Sequence, residues 1–108
     1  MSRFVNTLRA AGPTIRLAEA DSASVWTVRA QCADVWDAVR LDVTADTRVR
    51  DVKQAAMTRL LPDADVLDDF VVKVHGIEVL DEGRSVQGVG ATDGSTLLIV
   101  SRRRRAVR

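Results

Sequence analysis

One stretch of this chain carries a helical period, and strand-like runs lie on both sides of it. Val49, Val52, Ala56 and Leu60 recur at helical spacing, with Arg48, Arg50, Asp51 and Gln54 off that face. Pro62 stops the pattern, because proline lacks an N–H and disfavours helical geometry at Leu61. Asp46 or Thr47 is placed to cap the start, where a short side-chain oxygen accepts from the free N–H groups of the first turn. A single short helix must bury its apolar stripe against something else. Runs of strand character before and after it therefore point to an α+β domain with one helix on one sheet.

The first run, Val25 to Arg29, is β-branched and aromatic. Gln31 to Asp34 then reads as a turn. Val35, Val39, Leu41 and Val43 alternate with Trp36, Arg40 and Asp42, which is the period of a strand with one buried face. The two runs are close enough to pair as a hairpin. Past the helix, Asp63 to Asp69 is an acidic loop and Phe70 to Val74 a third strand. His75-Gly76 makes a turn into a short fourth strand, Ile77 to Leu80. A turn at Asp81 to Arg84, an irregular stretch from Ser85 to Gly90 and the turn pair Asp93-Gly94 lead to a last strand, Thr96 to Val100. The order is β-β-α-β-β-β. Before it, Phe4, Val5 and Leu8 read as a turn of amphipathic helix ending at Gly12-Pro13; alternatively, Thr14 to Leu17 reads as a short strand. Residues 18–24 are small and polar, as in a linker. The expected organisation is an N-terminal extension over 1–24, a domain over 25–101 and a basic tail over 102–108.

Composition excludes several chemistries. A single cysteine, Cys32, and a single histidine, His75, leave no intrachain disulfide, no Cys/His zinc site and no Cys–His–Asn protease centre within one chain. No cofactor is expected. Among 108 residues, 16 basic side chains face 15 acidic ones, for a net charge of +1. That near-neutrality hides a partition: Arg102, Arg103, Arg104, Arg105 and Arg108 form a basic tail on an acidic body. The longest apolar run, Leu97 to Val100, is far short of the roughly 20 residues a spanning helix needs. With no signal-peptide pattern in the chain and one cysteine, a cytoplasmic location is expected. The abundance of Arg, Ala, Val and Asp is that of a GC-rich bacterial genome.

Three blocks carry a resemblance. They are Val39-x-Leu41-x-Val43 with Asp46-Thr47 and Val49-x-x-Val52-Lys53; Val72-x-Val74-x-Gly76 with Leu80-Asp81-Glu82-Gly83-Arg84-Ser85-Val86; and Gly90-Ala91-x-Asp93-Gly94-Ser95-Thr96-Leu97-x-Ile99. In that order, over about residues 25–102, they resemble the ubiquitin-like β-grasp domains. The resemblance implies a mixed sheet of about five strands packed on one helix. Met1-x-x-Phe4-Val5-x-Thr7-Leu8 also looks like the start of ubiquitin, but that register inserts residues 18–38 into a hairpin that is normally tight, so Val25 to Arg29 is preferred as the first strand. Conjugated and sulfur-carrying members end in Gly-Gly, whereas the last glycine here is Gly94. A carrier or modifier role is expected only if the native chain extends further. More loosely, the chain is similar to the ubiquitin-like proteins and domains of type VII secretion systems, which also lack that ending.

Candidate sites follow from the same pattern. Alternation on the last strand turns Leu97 and Ile99 inward and Leu98 and Val100 outward, beside Lys73 and His75. Lys73 puts a charge where the family's recognition patch is usually apolar. Trp36, out of phase with Val35, Val39 and Leu41, reads either as an exposed binding anchor on the sheet's outer face or as a ring covered by residues 1–24. Protein binding is expected at Lys73, His75, Leu98, Val100 and Trp36. The tail arginines are candidates for nucleic acid or an anionic membrane surface. The acidic loop lacks the Gly and Glu positions of a calcium loop, and the Gly88, Gly90, Gly94 spacing precedes a strand, not a helix, so it is no dinucleotide fingerprint. Nothing in the sequence assembles a catalytic centre. The expectation is a non-catalytic interaction module, monomeric or weakly self-associating.

Overall fold

The computed structural model describes residues 13–19, 22, 24–64 and 67–102. The expected helical turn at Phe4 to Leu8 and the tail residues Arg103, Arg104, Arg105 and Arg108 lie outside the described residues. Among the described residues, six strands and one α-helix follow in order: β1 (Ile15–Arg16), β2 (Trp26–Cys32), β3 (Asp37–Val43), α1 (Val49–Leu60), β4 (Phe70–Val74), β5 (Ile77–Glu78) and β6 (Thr96–Ser101). They form one mixed sheet in the order β1-β3-β2-β6-β4-β5. This is the β-grasp expected above, with a sixth strand on its edge.

The period-2 pattern sorts side chains to two faces. Val28, Ala30, Cys32, Val39, Leu41, Val43, Val72, Val74, Leu97 and Ile99 turn to one face and are buried against α1. From the helix come Val49, Val52, Ala56 and Met57. Burial of Met57 and Lys53 widens the stripe beyond the spacing seen in the sequence. β2 and β6 run parallel at the centre, Ala30 opposite Leu97 and Cys32 opposite Ile99. β6 then pairs antiparallel with β4.

Several local expectations are corrected. β2 continues through Gln31 to Cys32, because Gln31 keeps the outward phase opposite Ala38 and Cys32 the inward one. The turn is therefore Ala33 to Trp36. β5 ends at Glu78, so Val79 and Leu80 belong to the following loop. Neither Asp46 nor Thr47 caps α1. The N-cap is Arg48, with no side-chain cap bond, and Thr47 Oγ1 instead accepts the Thr44 N–H at 3.0 Å. The free N–H groups of the first turn are satisfied by another part of the chain: Val49 donates to the Arg84 carbonyl at 3.0 Å and Arg50 to the Glu82 carbonyl at 2.8 Å. Val86 donates back to the Thr47 carbonyl at 2.7 Å. The helix start and the Asp81–Val86 loop thus complete each other's hydrogen bonding. At the other end, the Leu61 N–H donates to Met57 and Pro62 stops the helix, as expected.

β1 lies within the stretch read as an extension. Ile15 and Arg16 pair parallel with Leu41 and Asp42, the Leu17 and Ala18 N–H groups both donate to the Asp42 carbonyl, and Ile15 and Leu17 pack against the core. Between β4 and β5, His75 (φ 54°) and Gly76 (φ 83°) are both left-handed, as in primed hairpin turns, whose twist matches that of the strands. Histidine is one of the side chains that tolerates this region, so His75 serves the turn.

Candidate functional site

The face of the sheet away from α1 is laid out in rows by the register. One row runs Arg40, Arg29, Thr96 across β3, β2 and β6. The next runs Ala38, Gln31, Leu98, Lys73, Glu78 across β3, β2, β6, β4 and β5. Beyond it Val100 lies opposite Val71. Leu98 and Val100 face outward and are half-buried, while Leu97 and Ile99 are in the core. Lys73 sits beside Leu98, also half-buried. Val71 and Ala38 on this face are buried. The result is a shallow apolar centre with Lys73, Arg29 and Arg40 at its margin.

The structure therefore brings together Leu98, Val100 and Lys73 and separates the other two members of the expected set. His75 is exposed in its turn, with Nε2 3.5 Å from Ser95 Oγ. Trp36 is not on the flat outer face as expected. It lies in the β2–β3 turn, 84% exposed and at φ 56°. A bulky side chain in the left-handed region is strained, and the same turn holds Asp34, whose Oδ1 is buried without a hydrogen-bond partner among the described residues. The turn adjoins the end of β6, since the Ala33 N–H donates to the Ile99 carbonyl at 3.0 Å.

Arg102 follows β6 directly. It is exposed, and its Nε donates to the Asp68 carbonyl at 3.3 Å. Cys32 closes the inner side of the turn. Burial pushes its thiol above the ordinary range, hydrogen bonds from the Asp34 and Val35 backbone partly offset this, and the Asp34 charge adds to the rise. Cys32 is wholly buried and packs in the core cluster as a small apolar side chain. Among the described residues, no three His, Cys, Asp or Glu side chains are grouped to hold a metal, and no helix is long and apolar enough to cross a membrane.

Arg29 and Arg40 were not expected as site residues. Their strands were legible, but that they stand directly opposite each other depends on the register of the hairpin. Two further exposed apolar side chains are Ile77, on the edge strand β5, and Leu80, in the loop that follows it.

No family model matches the sequence, and no curated protein matches it. Solved structures do. The C-terminal ubiquitin-like domain of mouse tubulin-specific chaperone e is similar at a TM-score of 0.61 and 17% identity, over 78% of this chain and 94% of that one. A ubiquitin-like protein from Trypanosoma brucei is similar at 0.59 and 26% identity, over 75% of this chain and 99% of that one. The ubiquitin-like domain of an Arabidopsis thaliana protein is similar at 0.58 and 15% identity, over 79% and 87%. The fold is the ubiquitin-like β-grasp.

Proposed function

We propose that this chain is a non-catalytic protein-interaction module that binds through the outer face of its sheet. The observation that carries the reading is the outward, half-buried pair Leu98 and Val100 with Lys73 beside it. Side chains there are apolar enough to reward burial and are flanked by cations that select the partner. Trp36, at the neighbouring end of β6, is the natural anchor at the margin of that surface. The module is a cytoplasmic bacterial one, an accessory of a secretion system of the type VII kind or of another multiprotein assembly. Arg, Ala, Val and Asp richness and the sequence likeness support that finer assignment.

The test is affinity capture from the source cells with the full chain and with Leu98→Glu/Val100→Glu. Because both side chains already face outward, the double variant keeps its melting temperature within a few degrees. A partner retained by the wild type and lost by the variant supports the reading. If the double variant melts far lower, the pair is internal packing and the reading fails.

A second reading rests on charge. Five of the 16 cations fall in the last seven residues, and Arg102 leaves the sheet exposed. Such a tail binds polyanions, whether nucleic acid or an anionic membrane surface. Under this reading, association of the full chain with a short DNA duplex or with phosphatidylserine vesicles weakens steeply with salt. It is lost when Arg103, Arg104 and Arg105 are changed to Gln. Salt-independent binding, or binding unaffected by these changes, excludes the tail as the contact.

A further inference from the structure

Arg29 and Arg40 are direct cross-strand partners on the outer face, where like charges oppose each other unfavourably. Arginine stays charged at any physiological pH, so the repulsion cannot be relieved by losing a proton. Nor is it relieved by a neighbour. Among the described residues neither guanidinium has a hydrogen bond or ion pair. The carboxylate one row away is Asp42, and it is engaged by Arg16 at 3.5 Å and by the Thr27 hydroxyl at 2.9 Å. Both arginines are half-buried, and the register sets them side by side on the same face of the sheet.

We infer that Arg29 and Arg40 form an oxyanion subsite that receives a carboxylate of an acidic protein segment. The inference rests on the reading of the outer face as a docking surface and deepens it by naming the partner's chemistry. Two adjacent planar forks match a carboxylate bidentately, which a single lysine cannot do. The neighbouring row fixes the kind of partner. It is Ala38, Gln31 and Leu98, with Lys73 beyond it facing Glu78. A nucleic acid backbone needs cations repeated along its path, and here apolar groups take their place, with Glu78 at the far margin. An aspartate or glutamate next to a bulky apolar side chain fits both rows at once, its carboxylate on the arginines and its neighbour on Leu98 and Val100.

The full chain is titrated with the blocked peptide acetyl-Leu-Glu-Val-Glu-Leu-amide, with its Gln-for-Glu analogue, with inorganic phosphate and with a short DNA duplex. Binding is followed through the Arg29 and Arg40 Nε–H signals and the Leu98 and Val100 methyl signals by NMR. The Glu peptide shifts both sets together, and the Gln analogue binds roughly tenfold more weakly or less. Arg29→Gln and Arg40→Gln each lower the Glu-peptide affinity by about the same factor. Each also melts at or above the wild-type temperature, since the unfavourable pair is removed. Equal binding of the Gln analogue, arginine signals that respond to phosphate or DNA but not to the peptide, or a marked fall in melting temperature in either variant overturns the inference. Loss of peptide binding in Leu98→Glu/Val100→Glu with no effect of the arginine changes leaves the docking face intact and removes this subsite alone. Loss in neither removes the face itself.

Discussion

Val52→Asp abolishes cooperative folding. Val52 is wholly buried on the sheet side of α1, in one cluster with Leu41, Val74 and Leu97. A carboxylate placed in that apolar cluster is either desolvated as an ion or held neutral at the cost of a large pKa rise. Either route costs more than about 4 kcal/mol, against a total stability of roughly 5–15 kcal/mol for a domain of this kind. The expected result is loss of the melting transition by circular dichroism at all accessible temperatures. Val52→Ala serves as the graded companion. It removes two methyl groups and leaves a small cavity, so a loss of about 2 kcal/mol and a fall in melting temperature on the order of 10 °C are expected. A Val52→Asp protein that melts like the wild type would show that α1 does not pack on the sheet.

What could be read from the sequence, and what could not, divides along a physical line. β4, β6 and α1 were legible because each carries its own period: Val72 and Val74, Leu97 and Ile99, and the Val49–Leu60 stripe point inward without reference to any other element. Features set by pairing were not. Thr14 to Leu17 alternates like a short strand, but that Ile15 and Arg16 join this sheet at its edge, parallel to Leu41 and Asp42, is set by the pairing alone. The start of α1 was assigned to Asp46 or Thr47 by capping preference, but carbonyls of Glu82 and Arg84, more than thirty residues on, already occupy those N–H groups. A side-chain cap there would be redundant. Of the candidate site, Leu98, Val100 and Lys73 followed from alternation. Trp36 was misplaced because alternation was carried one step into a turn, where a left-handed residue breaks the phase. The Arg29–Arg40 pair lay in two strands both recognised, yet only the hairpin register sets the two side by side.

Glu82→Ala destabilises the domain nearly as far as a core cavity does, although Glu82 lies in a loop. Lys53 occupies a helix position where its side chain is only 3% exposed. Its ammonium donates to both Glu82 oxygens, at 3.0 and 3.1 Å. No other ion pair of Lys53 is present among the described residues, so removing Glu82 strands a charge that burial has already cut off from water. Breaking a buried pair from one side costs about 3–5 kcal/mol, and the 21% exposure of Glu82 places this case toward the lower end of that range. The Glu82 backbone carbonyl that accepts from Arg50 stays in place in Glu82→Ala, so the loss reports on the side-chain pair. Replacing both partners tells the pair's attraction apart from the desolvation of Lys53. Lys53→Met fills the same channel without a charge, so Lys53→Met with Glu82→Gln should recover most of the stability lost in Glu82→Ala. Urea unfolding of the three proteins measures this directly, with midpoints ordered wild type, double variant and Glu82→Ala from highest to lowest. A Glu82→Ala midpoint equal to that of the wild type would mean that Lys53 reaches water by another route, and the pair would then be a surface contact with no part in joining α1 to the loop.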